Sequence, residues 1–213
     1  MKGAGIEDTL RRLGACGPSI AWCVVRRIAT LEEAWLCCER ADWLLWLAVR
    51  VCADRRLVVL ASCDCARKAW CYGREGEDWL PRALDGTLRT AECWAQGEDV
   101  MSSELADAWL ITRRVARFWD TEIAFATRIT TRAVELAART ARDTKGATED
   151  YADVTEAAWF SVVFDAEAVG AVGAVTGIAA NRELAALARA RIPWFVVERA
   201  LEGLFRNDVR ERP

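Results

Sequence analysis

Apolar residues recur along this chain every three or four positions, the spacing of helices that bury one face. Ile6 to Leu13 carries that spacing and stops at Gly14, which predicts a short first helix. Pro18 suits the first turn of a second helix reaching Arg26. Thr30-Leu31-Glu32-Glu33 reads as a capping box, with Thr30 as N-cap and Glu33 reaching back to its amide. The helix it opens is expected to run to about Glu39. Asp42 is the expected cap of the next helix, Trp43 to Val51, which is apolar almost all round and therefore central. Asp54 opens a helix from Arg55 to about Tyr72, Gly73 and Gly76 bracket a loop, and Pro81 opens a helix that ends at Gly97.

From Glu98 to Lys145 there is no Gly or Pro, and apolar residues from Leu105 through Trp119 to Ala137 keep helical spacing. This predicts one long helix, or two broken near Asp120–Thr121. Thr155 caps a further helix through Phe164, Asn181 starts another to Arg191, and Pro193 starts a last one through Phe205. No strand pattern and no fixed-period repeat stands out. The fold class is all-α: one compact multi-helical domain of about eight to ten helices over 1–213, with two packed helical halves meeting near 98–103 as the alternative.

Composition narrows the function classes. At 53% hydrophobic and 29% charged, the 213 residues are neither disordered nor collagen-like. Histidine is absent, which removes mechanisms with an imidazole base and His-ligated metal sites. A net charge of −3 argues against a general nucleic-acid binder. The charge is uneven: residues 72–112 hold 3 basic and 9 acidic side chains, a net of −6, whereas residues 1–71 hold 11 and 8, a net of +3. The longest uncharged apolar run, Ala168 to Asn181, falls short of the roughly 18–20 residues a membrane-spanning helix needs. Gly173 and Gly177 in that run form a GxxxG spacing, read as close helix–helix approach in a core.

Nine cysteines lie within the first 93 residues, an odd number that precludes complete internal pairing. The first dozen residues contain Asp8 and two arginines but no apolar h-region, so the expectation is a cytoplasmic chain with reduced thiols. Cys63 and Cys65, two apart on a helix, point in different directions and cannot jointly clasp an ion. No CxxC pair occurs, and no metal or cofactor is expected. Nucleophile-elbow, P-loop, HExxH and GxGxxG patterns are also absent, so no catalytic residues are assigned.

Eleven tryptophans are heavy usage for this length, and Trp22, Trp35, Trp43, Trp46, Trp70 and Trp94 fall on predicted apolar faces, where core packing explains most of them. Charges beside them form the candidate binding residues: Glu39, Arg40, Asp42 and Trp43; Arg67; Glu77; Arg82; and Glu92 with Trp94. These can build a network of Arg–carboxylate bridges. Such a network lines a ligand or partner site, or it ties helix ends together, and the second arrangement is the commoner one.

One stretch also resembles known sequences. It reads Thr30-Leu31-Glu32-Glu33-Ala34-Trp35, Cys38-Glu39-Arg40-x-Asp42-Trp43-x-x-Trp46-Leu47, Asp54-Arg55-Arg56-x-x-Val59, Ala61-x-Cys63-x-Cys65-Ala66-Arg67, Gly76-Glu77, Pro81-Arg82 and Ala91-Glu92-x-Trp94-Ala95-x-Gly97-Glu98, followed far downstream by Ile192-Pro193-Trp194 and Val197-Glu198-x-Ala200-Leu201. These residues resemble a family of bacterial and phage immunity proteins of polymorphic toxin systems, over about 10–100 and 185–205. The resemblance implies a helical fold and a role in neutralising a cognate protein toxin; with catalytic motifs absent and residues 72–112 acidic, direct occlusion of that toxin is the expected mode. Two rival readings stand beside it: a small-molecule or nucleotide sensor or enzyme using the Arg/carboxylate cluster as a pocket, and a self-associating structural module. No nucleic acid or membrane partner is expected, and a homo-oligomer stays open.

Overall fold

The computed structural model describes residues 5–51, 53–72, 79–101, 103–108, 110–111 and 174–210, with the side chains of all but 69–72, 79–84, 174–180 and 207–210. Among the described residues the fold is all helical, with nine helices and no strand. They include α1 (Ile6–Leu13), α2 (Gly17–Arg26), α3 (Leu31–Cys37), α4 (Ala41–Arg50), α5 (Arg55–Tyr72), α6 (Trp79–Gln96), α7 (Ala174–Arg191) and α8 (Trp194–Arg210), plus a short helical segment that begins at 103. No helix among the described residues is long and apolar enough to cross a membrane. The expected helix through 112–145, the one capped by Thr155, the loop between Gly73 and Gly76, and Gly173 of the GxxxG pair lie outside the described residues.

Local chemistry sets most boundaries. At α3 the Glu33 amide donates to Thr30 Oγ1 (3.1 Å), and the Glu33 carboxylate accepts from the Ala29 amide (2.8 Å), one residue earlier than expected. Gly14 closes α1 in the left-handed region at φ 79°, where glycine carries no steric penalty. Arg27 closes α2 in the same region at φ 55° with a side chain in place. Several helix boundaries differ from expectation, and α3 ends at Cys37, short of Glu39. Asp42 does not cap α4; the helix begins at Ala41, and the Asp42 carboxylate in its first turn is held by Arg40 instead. α6 begins at Trp79, two residues before Pro81, which is tolerated because a first-turn proline gives up no helical hydrogen bond. Asn181 starts no helix: α7 runs unbroken from Ala174, through Gly177. The chain is not helical over 98–100, so the Gly- and Pro-free stretch enters its helix only at 103.

α5 is the central strut. Val58, Ala61 and Cys65 pack into one cluster with α4, α7 and α8, including Leu44, Ala48, Ala185, Ala188, Ile192 and Val197. Val59, Cys63 and Ala66 pack into a second with Leu88, Ala91, Trp94 and Ala95 of α6, and with Val100 and Leu105 beyond it. Spacings of three and four residues place these two stripes on different faces of one helix, so Cys63 and Cys65 do diverge. Small side chains at Ala61, Cys63 and Ala66, each 0% exposed, let neighbouring helices approach closely. Burying a valine such as Val58 or Val59 stabilises by about 1.5–3 kcal/mol, against ~0–1 kcal/mol for a surface ion pair. Apolar faces, not salt bridges, therefore position α5. A third cluster joins α1, α2 and α3 through Leu10, Ile20, Cys23, Ile28 and Ala34.

Arginines fasten helix ends. Arg50 Nε donates to the Leu13 carbonyl at the end of α1 (2.6 Å). Arg189 of α7 reaches the end of α3, where Nη1 donates to the Cys38 carbonyl (2.6 Å) and to the Trp35 carbonyl (3.4 Å). These terminal carbonyls have no partner within their own helix, and a cation there also complements the helix dipole.

Candidate functional site

The candidate residues separate into two groups. The first lies at the α3–α4 junction. Arg40 grips Asp42 through Nε (3.0 Å) and Nη2 (2.7 Å), a bidentate pair two residues apart. The same guanidinium lies over the Trp43 ring, 4.6 Å from its centroid, a cation–π arrangement. Burial works against the Arg40 charge, but the Asp42 carboxylate more than offsets it and holds the guanidinium above its ordinary range. Glu39, beside this pair, reaches instead to Arg182 of α7 (2.8 Å).

The second group spans α5 and α6. Arg67 donates to Glu92 through Nε (2.9 Å) and Nη2 (2.8 Å), and to Asp85 through Nη1 (2.6 Å). Asp85 also accepts from Arg89 (3.0 Å), one turn along α6. Hydrogen bonding from Glu92 raises the Arg67 pKa, and that from Arg67 lowers the Asp85 pKa. Among the described residues no ion pair joins Arg40 and Asp42 to Arg67 and Glu92. Trp94, 7% exposed, packs in the second core cluster against α5. Glu77 lies outside the described residues, as does the side chain of Arg82.

Sequence reasoning overlooked several partners. Arg191 of α7 pairs with Asp64 of α5 (2.5 Å), and Lys68 pairs with Glu183 (2.7 Å), so α5 is tied by ion pairs to α7 as well as to α6. The signal for Asp85 was present: it stands four residues before Arg89 and seven before Glu92, on one face of α6. Nothing in the sequence marks Arg191 or Arg189, whose partners lie 127 and more than 150 residues away.

Beside the first group lies a half-open cavity of about 40 Å³, lined by Trp22, Trp35, Trp43 and Trp46 with Leu10, Leu31, Leu44, Leu47 and smaller side chains. Its walls are almost wholly apolar. Trp22 and Trp43 meet edge to face with centroids 6.0 Å apart, and Trp35 meets Trp194 of α8 at 6.5 Å. The indole N–H groups of Trp35 and Trp194 are buried with no hydrogen-bond acceptor among the described residues. The volume admits about three water-sized atoms, and a ligand site needs convergent polar groups to orient its guest. Neither Arg40 nor Asp42 lines this cavity. No group of metal-ligating side chains gathers among the described residues. The buried thiols are poor nucleophiles at neutral pH: burial pushes Cys38 and Cys65 each up to about 12.

No protein-family model, curated protein or solved structure matches this chain.

Proposed function

We propose that this chain is a cytoplasmic immunity-type protein that neutralises a partner toxin by binding and occluding it. The observation that carries the reading is the internal pairing of its polar candidates. Arg40 is engaged by Asp42 and Trp43, Arg67 by Glu92 and Asp85, and the neighbouring cavity is small and apolar. Groups already joined to one another favour holding a rigid helical surface over orienting a small substrate. The resemblance of residues 10–100 and 185–205 to immunity proteins supplies the partner class. The net charge of −6 over residues 72–112 favours a basic partner, because opposite fields speed encounter.

The test is coexpression with the protein encoded beside this chain, reading growth and, with purified proteins, association. The expected result is restored growth and a complex that forms more slowly as salt rises. A neighbouring product that kills equally well with the chain present, and does not bind it, overturns the reading.

A further inference from the structure

Two exposed apolar side chains flank the ring contact that joins α3 to α8. Leu36 follows Trp35, Phe195 follows Trp194, and each is 58% exposed although the indoles beside them are packed together. Each has a charge four residues away on its own helix: Glu32 before Leu36, and Arg199 after Phe195. Residues four apart share a helix face. Glu32 and Arg199 are exposed, of opposite sign, and without an ion-pair partner among the described residues. Two nearby carboxylates are engaged elsewhere: Glu33 accepts from the Ala29 amide, and Glu202 pairs with Arg206 (2.8 Å).

This pattern is complementary to itself. A two-fold axis makes each contact twice, residue i on j and j on i. Laying α3 antiparallel on α8 of a second copy sets Leu36 against Phe195 and Glu32 against Arg199. The spacing matches because each apolar–charged pair spans four residues, about 6 Å of helix. A surface of single sign answers only half of this face: a basic one opposes Arg199, and an acidic one opposes Glu32. We infer that the α3/α8 face pairs two copies of this chain into a weak, reversible dimer, with Leu36 on Phe195 and Glu32 on Arg199 across the axis. Glu198 stays on the rim, where water screens it. Two apolar anchors per copy make an interface at the small end of the range, below about 1,200 Å². The inference is independent of the toxin-neutralising reading.

The test is sedimentation equilibrium of the full chain over a concentration series, in reducing buffer so that exposed Cys37 cannot link copies. The mass is expected to rise from 23.7 kDa toward twice that value. Leu36→Glu and Phe195→Glu, at exposed positions that spare the core, each hold the mass at the monomer value. Glu32→Arg and Arg199→Glu each weaken association about tenfold, since a lost pair is lost twice, and combined they restore it. Circular dichroism confirms that each variant is folded. A chain that stays at 23.7 kDa throughout overturns the inference. So does association that survives Leu36→Glu or Phe195→Glu, or a charge-swapped double variant that does not recover.

Discussion

Arg67 holds Glu92 with two parallel hydrogen bonds, at 2.9 and 2.8 Å, and so ties α5 to α6 across 25 residues of sequence. The fork geometry is specific to arginine. Its side chain is 39% exposed, so water screens much of the attraction. Arg67→Lys is expected to lower stability by about 1 kcal/mol, and Glu92→Gln by a similar amount, in urea unfolding. Equal midpoints for native and variant proteins would show that the pair contributes nothing.

Asp85 gives this tie a pH signature. Hydrogen bonding from Arg67 lowers its pKa in the folded state below the ordinary 3.8. The folded chain thus holds the carboxylate charged where the unfolded chain has begun to protonate it. The stabilisation is complete above about pH 4 and is lost as the pH falls through the folded-state value. Asp85→Asn is therefore expected to flatten stability loss below about pH 4 and to leave the profile near neutrality parallel to the native one. An unchanged acid limb, followed by fluorescence, would refute it.

Arg189→Ala strips the donor from the Cys38 and Trp35 carbonyls at the end of α3. Leaving such acceptors unsatisfied costs about 1–3 kcal/mol. The loss is expected to be local, with amide exchange of α3 rising more than that of α5. Uniform acceleration throughout the chain would mean that Arg189 supports the whole fold.

Arg27 ends α2 at φ 55°, a conformation that disfavours any side chain with a Cβ. Arg27→Gly is expected to raise stability by about 1 kcal/mol, observable as a higher thermal midpoint. A drop would show that the arginine side chain makes a compensating contact.

Thiol accessibility separates the cysteines. Cys37 is exposed, whereas Cys38 and Cys65 are buried and pushed up to about 12. Brief alkylation of the folded chain near pH 8, mapped by mass, is expected to label Cys37 and spare Cys38 and Cys65. Labelling of Cys65 ahead of Cys37 would contradict the placement of α5.

Local signals carried most of the helices. Gly14, Pro18, Thr30 with Glu33, and Asp54 announce α1, α2, α3 and α5 because each acts through the nearest turn of backbone. Asp42 misled because Arg40, two residues before it, competes for its carboxylate, a choice that capping rules do not weigh. The candidate cluster was legible as residue types and not as one place. Arg40 met Asp42 locally, and Arg67 met Glu92 on the next helix, but whether the two groups converge depends on how α4 and α6 pack around α5. Arg189 and Arg191 were invisible for the same reason: their partners become neighbours only when α7 docks.

α5 is buried on two faces, and the helix that covers one of them is made late. Residues Ala61 and Cys65 leave the ribosome more than a hundred residues before Leu184 and Ala188, against which their cluster closes. At about 5–20 residues per second that interval is on the order of ten seconds. During it, a stripe of the growing chain stays wet and adhesive, open to chaperones or to other nascent chains. The small side chains of Ala61 and Cys65 limit how much apolar surface that stripe exposes beside Val58 until α7 arrives.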